Sequence, residues 1–223
     1  MSISIGIGRL PLAAGAVFGA LAVGSADAAV RVFAVNWSLP STGELYVSLN
    51  NLTTGPTMST SVTAGWDMRI ASPSSRGSLD FSFPAPSVPG PITNPNPYYG
   101  LMRAPGDTSG GGASLAVNTI VTSSASFADG GTAAFGSGAY QWRLSGENYF
   151  GFRMRLGTTN SLIYGWARIL VGAAPGQFTL THFGYQDTPG GSIRVGEGMP
   201  IPGPGGIAAF VAATVGRARR RRT

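Results

Sequence analysis

The chain has 223 residues, among them 34 glycines and 16 prolines, with 11% charged residues and no cysteine. That length holds two end segments and one domain with its own core, and the lack of cysteine excludes disulfides, thiol nucleophiles and thiolate metal sites. The formal net charge of +6 sits mainly in the ends, at Arg9, Arg217, Arg219, Arg220, Arg221 and Arg222, so the near-neutral body between them carries no nucleic-acid footprint.

In chain order, Arg9 precedes an apolar stretch from Leu10 to Val23 and then the small-residue pattern Ala26-Asp27-Ala28. These are the three parts of a secretory signal peptide over residues 1–28, with cleavage expected after Ala28. Pro11, Gly15 and Gly19 interrupt the stretch, which is too short for a comfortable membrane span of about 20 residues.

Residues 29–198 form the body, and their dominant pattern has period two. Strands are expected at 30–35, 44–49, 79–83, 115–121, 140–144, 149–156, 161–171, 178–185 and 193–195. In the strand at 149–156, Phe150, Phe152, Met154 and Leu156 share one face and Arg153 and Arg155 the other. The run at 161–171 is apolar on both faces apart from Arg168, which marks a central strand covered on each side. Between 84 and 112 the pattern lapses into Pro84, Pro86, Pro89, Pro91, Pro95 and Pro97, then Gly110-Gly111-Gly112, which reads as a long surface loop. With no amphipathic helix in the interior, the expected fold is all-β: a single antiparallel β-sandwich or jelly-roll domain.

The supply of acid-base groups is thin. His182 is the only imidazole; at two residues from Leu180 and four from Phe178 it falls on the same face of a strand, where a structural histidine is the default. No Gly-x-Ser-x-Gly elbow occurs. Asp67, Asp80, Asp107, Asp129, Glu147 and Asp187 are scattered, so a glycan hydrolase would have to assemble two of them in space. Asp129-Gly130-Gly131, and Asp107 with the following glycines, suit either calcium or turns, and turns are the commoner use. The expectation is a protein that is not an enzyme and needs no cofactor or metal. Aromatic residues offer a different chemistry: Trp66, Trp142 and Trp166, with Tyr98, Tyr99 and Tyr140, present flat faces suited to stacking on sugar rings; Trp66, beside Gly65 and Asp67, leads with Tyr98 and Tyr99, whereas Trp166 belongs to the doubly apolar strand and the core.

The motifs Tyr149-Phe150-Gly151-Phe152-Arg153, Tyr164-Gly165-Trp166-Ala167-Arg168 and Phe183-Gly184-Tyr185-Gln186-Asp187-Thr188-Pro189-Gly190 resemble those of exported bacterial proteins that carry PEP-CTERM-type (exosortase-type) sorting tails. The likeness covers about fifty residues well, with weaker echoes in Leu45-Tyr46-Val47 and Gly65-Trp66-Asp67. It implies a sandwich fold and an extracellular location, and supplies no catalytic residues. Residues 199–223 match the tripartite order of such a tail: a proline motif, an apolar segment from Gly206 to Val215, and the arginine cluster. Where that family has Pro-Glu-Pro, this chain has Pro202-Gly203-Pro204, a variant.

As a short hydrophobic helix, residues 206–216 would reach only about 16 Å, roughly half of a bilayer core, and Pro200, Pro202 and Pro204 forbid extending it backwards. The positive-inside rule keeps Arg217, Arg219, Arg220, Arg221 and Arg222 in the cytoplasm. A transient stay in the inner membrane is therefore expected, followed by delivery to the cell surface or outside. The implied partners are the secretion machinery and a membrane sorting protease, with an extracellular polysaccharide as a further candidate and no nucleic acid. The leading functional expectation is a structural or adhesive surface or matrix protein. A carbohydrate-binding module stands second and a secreted glycan hydrolase third.

Overall fold

A computed structural model describes residues 29–39, 43–49, 55–62, 64–72, 78–84, 98–108, 110–155 and 161–199. Among them every regular element is a strand and no helix is long and apolar enough to cross a membrane. The six-stranded sheet contains β1 (Val30–Leu39), β6 (Gly100–Met102), β8 (Phe127–Ala128), β10 (Gly146–Arg155), β11 (Leu162–Val171) and β12 (Phe178–Gln186), in the order β1-β12-β11-β10-β6-β8. The five-stranded sheet, ordered β3-β2-β4-β5-β9, holds β2 (Gly43–Ser48), β3 (Thr57–Ser59), β4 (Met68–Ser72), β5 (Asp80–Ser82) and β9 (Gly130–Thr132). A two-stranded ribbon pairs β7 (Ile120–Val121) with β13 (Ile193–Arg194). All ladder pairings are antiparallel.

The two larger sheets pack as the layers of a sandwich. Leu45, Val47, Ile70 and Phe81 from one and Phe150, Phe152, Ile169 and Leu180 from the other belong to a single buried cluster. A second cluster lies on the opposite face of the six-stranded sheet, where Tyr164 and Trp166 are covered by Leu115, Val121, Ile193 and Val195. This is why β11 is apolar on both sides: it is third in the six-strand order and buries side chains in both clusters.

Pairing explains the glycines of the aromatic motifs. Phe152 stands opposite Gly165 and Trp166 opposite Gly184, and a Cβ built on either glycine runs into the ring facing it. At Gly165 the added carbon would also lie 2.7 Å from the Gly184 carbonyl oxygen, which belongs to backbone and cannot swing aside. Gly165→Ala is therefore expected to destabilise by about 1–3 kcal/mol, the usual range for overpacking. A denaturation midpoint indistinguishable from the parent's would refute this close approach.

Three expectations need correction. The stretch 84–112 is not loop throughout, because β6 lies in it and pairs with both β10 and β8. It holds its place by burial: Leu101 enters the first cluster and Met102 the second. Of 115–121 only Ile120 and Val121 are strand, and 140–144 is a turn with one isolated bridge between Trp142 and Phe135. His182 does not share a face with Leu180. Arg168 pairs with His182 and Ile169 with Leu180, so Thr181 is the extra residue of a bulge. The bulge sends Leu180 and Phe183 into the same core and leaves His182 outside it.

Candidate functional site

Trp66, Tyr98 and Tyr99 do not form one exposed patch. Tyr99 is 8% exposed and stacks on Phe83 at 6.4 Å within the core. Tyr98 is half-buried, packs against the same core and has the Arg155 guanidinium 5.5 Å from its ring centre. Trp66, also half-buried, meets Tyr46 edge-on at 5.5 Å. Tyr46 and Arg69 both donate hydrogen bonds to Glu44, and Arg69 donates a further one to Ser82 at 3.3 Å. The guanidinium, followed by the phenol, holds the Glu44 carboxyl below its ordinary range.

A better-formed site lies elsewhere. A cleft of about 490 Å³ is walled by residues 114–117, by 138–141 and by Arg143, Glu147 and Tyr149. Its size falls within the roughly 300–1,000 Å³ of small-molecule sites. Tyr140 and Val117 are exposed at its rim, and Leu115 is buried. Tyr149 rests against Trp166 at 6.4 Å, and its hydroxyl donates to Glu147 at 3.3 Å. Glu147 in turn receives a hydrogen bond from Arg168. The neighbouring His182 is pulled below its ordinary pKa by burial and then by the Arg168 charge, against a smaller opposing effect of Glu147.

The walls are fixed from behind. Asn148 is fully buried; its Oδ1 accepts the Arg143 backbone N–H at 2.7 Å and the Ser114 hydroxyl at 3.2 Å, while its Nδ2 donates to the Arg143 carbonyl at 2.9 Å. The Ser114 N–H donates to the Tyr140 carbonyl at 2.9 Å, and the Leu115 N–H to that of Tyr149 at 2.7 Å. Beneath the second wall, Trp142 donates from Nε1 to the Gly112 carbonyl at 3.0 Å.

Backbone strain gathers at the same place. Among the described residues, the non-glycine residues with positive φ are Asn118 at 70°, Tyr140 at 64° and Ser145 at 52°. Tyr140 lines the cleft, Asn118 follows Val117, and Ser145 lies between Arg143 and Glu147. Asparagine tolerates the left-handed region, whereas in tyrosine or serine it costs about 1–2 kcal/mol, and such strain collects at functional positions.

Among the described residues no group of three or more His, Asp or Glu side chains could hold a metal ion. Asp107 accepts the Gly110 N–H at 3.0 Å, a turn contact. Ala26, Ala28, Pro202, Gly203, Pro204, Arg217, Arg219, Arg220, Arg221 and Arg222 lie outside the described residues.

No known protein family, curated protein or solved structure matches this chain.

Proposed function

We propose that this chain is exported and works at the cell surface or in the extracellular matrix as a structural or adhesive protein that is not an enzyme. The observation that carries the reading is a pair of end patterns in one sequence: Arg9, an apolar stretch and Ala26-Asp27-Ala28 over 1–28, read as a signal peptide, and the proline motif, apolar segment and arginine cluster over 199–223, read as a sorting tail. The state of the acidic groups supports the non-enzymatic part. Glu44, Glu147 and Asp187 are each bound to an arginine, and Asp67 is buried against a backbone amide. The cleft of Tyr140 and Tyr149 favours the adhesive half of the reading over a purely structural one.

Tags at both ends, followed through membrane and surface fractions, test the proposal. The expected mature form begins at Ala29 and has lost the C-terminal tag. A C-terminal tag still covalently attached in the membrane at steady state would defeat the processing step, and an intact Met1 would defeat export. Turnover of a polysaccharide or ester by the purified protein would end the non-enzymatic reading.

A further inference from the structure

We propose that the cleft between residues 114–117 and 138–141 binds a short segment of neutral polysaccharide, with Tyr140 and Tyr149 as the faces that meet the sugar rings. The proposal rests on the adhesive reading only in making a surface glycan the relevant ligand. The site itself is argued from its walls.

The lining combines two kinds of group. Tyr140 and Tyr149 supply aromatic surface with hydroxyl tips, a form suited to a ligand that has apolar ring faces and polar edges. Ser114, Gln141, Arg143 and Glu147 add donors and acceptors around them. Arg143 and Glu147 are the charged side chains of the lining and have opposite sign, and with Arg168 bound to Glu147 from outside the lining the cleft carries a single net positive charge rather than a cluster of like charges. A polyhydroxylated neutral ligand fits this mixture better than a charged one does.

The strain at Tyr140 points the same way. A bulky aromatic residue in the left-handed region is an outlier, at a position where glycine would sit without cost. Tyr140 is also 41% exposed, so its ring is not held there by burial in the core. A side chain kept in a costly conformation and turned towards a cleft is explained by what the ring does there. Meanwhile the fully buried Asn148 fixes the Arg143 backbone and the Ser114 hydroxyl, so the opposing walls are set before any ligand arrives.

The test uses the purified full-length chain and a panel of neutral oligosaccharides (cellohexaose, xylohexaose, mannohexaose, maltohexaose and N-acetylchitohexaose) beside an acidic one, hexagalacturonate, and a neutral hexapeptide, titrated by calorimetry. At least one is expected to bind at millimolar concentration or tighter. Tyr140→Gly should weaken that binding by about tenfold or more, the scale of one lost stacking partner, while leaving the melting temperature at or above the parent's because the strain is relieved. Tyr140→Phe keeps the ring and should keep most of the affinity. No binding across the panel at about 10 mM, equal affinity in Tyr140→Gly and the parent, or a preference for acidic over neutral glycans or for peptides would each overturn the proposal. Surface location is read on cells and sugar binding on the purified chain, so the two proposals can fail separately.

Discussion

Trp142→Ala is expected to destabilise the folded chain by about 3–5 kcal/mol, the range for removing a large aromatic residue from a core. Trp142 is fully buried, with its ring 5.3 Å from that of Phe81 and 5.9 Å from that of Phe150. Phe81 comes from the five-stranded sheet and Phe150 from the six-stranded one, so the indole fills space between the layers. Its loss also strands the Gly112 carbonyl that accepts from Nε1. Trp142→Phe keeps part of the ring contact and loses the hydrogen bond, so a smaller cost of about 1–3 kcal/mol is expected. Since a domain of this kind is stable by only about 5–15 kcal/mol, the alanine variant should show a large drop in denaturant midpoint. A drop equivalent to less than about 1 kcal/mol would mean that the site collapses around the missing ring and that the indole is not a keystone between the sheets.

Asp67→Asn is expected to have the opposite sign above pH 6. Asp67 is 4% exposed and accepts the Leu49 N–H at 2.6 Å. Burial pushes its carboxyl up from 3.8 to about 6, with the Leu49 hydrogen bond pulling weakly the other way. The nearby Tyr99 phenol is raised first by its own burial and then by the Asp67 charge. Because the folded pKa lies above the unfolded one, the stability Asp67 contributes is complete below about pH 4 and is lost as pH rises through about 6. The shift of about two pKa units corresponds to about 3 kcal/mol at most. Asparagine can still accept from Leu49 and carries no charge to desolvate. Asp67→Asn should therefore be more stable than the parent at pH 8, with the pH 4–6 slope flattened, as followed by thermal melting across that range. A variant less stable than the parent at pH 8 would show that the ionised carboxylate is the acceptor the fold needs.

The long strands were legible because their side chains repeat a regular alternation. Phe150, Phe152 and Met154 do enter one core, and the doubly apolar run at 161–171 does become a strand buried on both faces. Short strands were legible only in part: those at Asp80–Ser82 and Ile193–Arg194 fall within expected runs, and others do not. Met68–Ser72 and Gly100–Met102 offer too few residues for a period to show, and their pairing depends on partners far along the chain. His182 was misplaced because alternation cannot reveal a bulge, and the residue that shifts the phase, Thr181, looks like any other strand residue. Of the candidate glycan residues, Tyr99 was lost to the core because its ring packs on Phe83, which a sequence reading treats as the end of a different strand. The cleft is not legible for a related reason, although Tyr140 is among the aromatic candidates. Tyr140 lies where a strand was expected, and only its positive φ shows that the chain turns there. The one hint in the sequence was the crowding of Gly136, Gly138 and Ser145 around an aromatic segment, a composition that favours turns over strands.

The first strand finds its hydrogen-bonding partner only near the end of the body. Val30 pairs with Gln186 and Leu39 with Phe178, and the Ala29 amide and Arg31 guanidinium both reach Asp187. A chain emerging N-terminus first therefore carries its opening strand unpaired until about residue 186 has followed, and closing so long a loop is slow, in the millisecond-to-second range of sandwich domains. The order of events is built into the topology: synthesis of nearly the whole body precedes closure of this sheet. The last long strand to arrive, β12, is the one that joins the first strand to the rest of the six-stranded sheet.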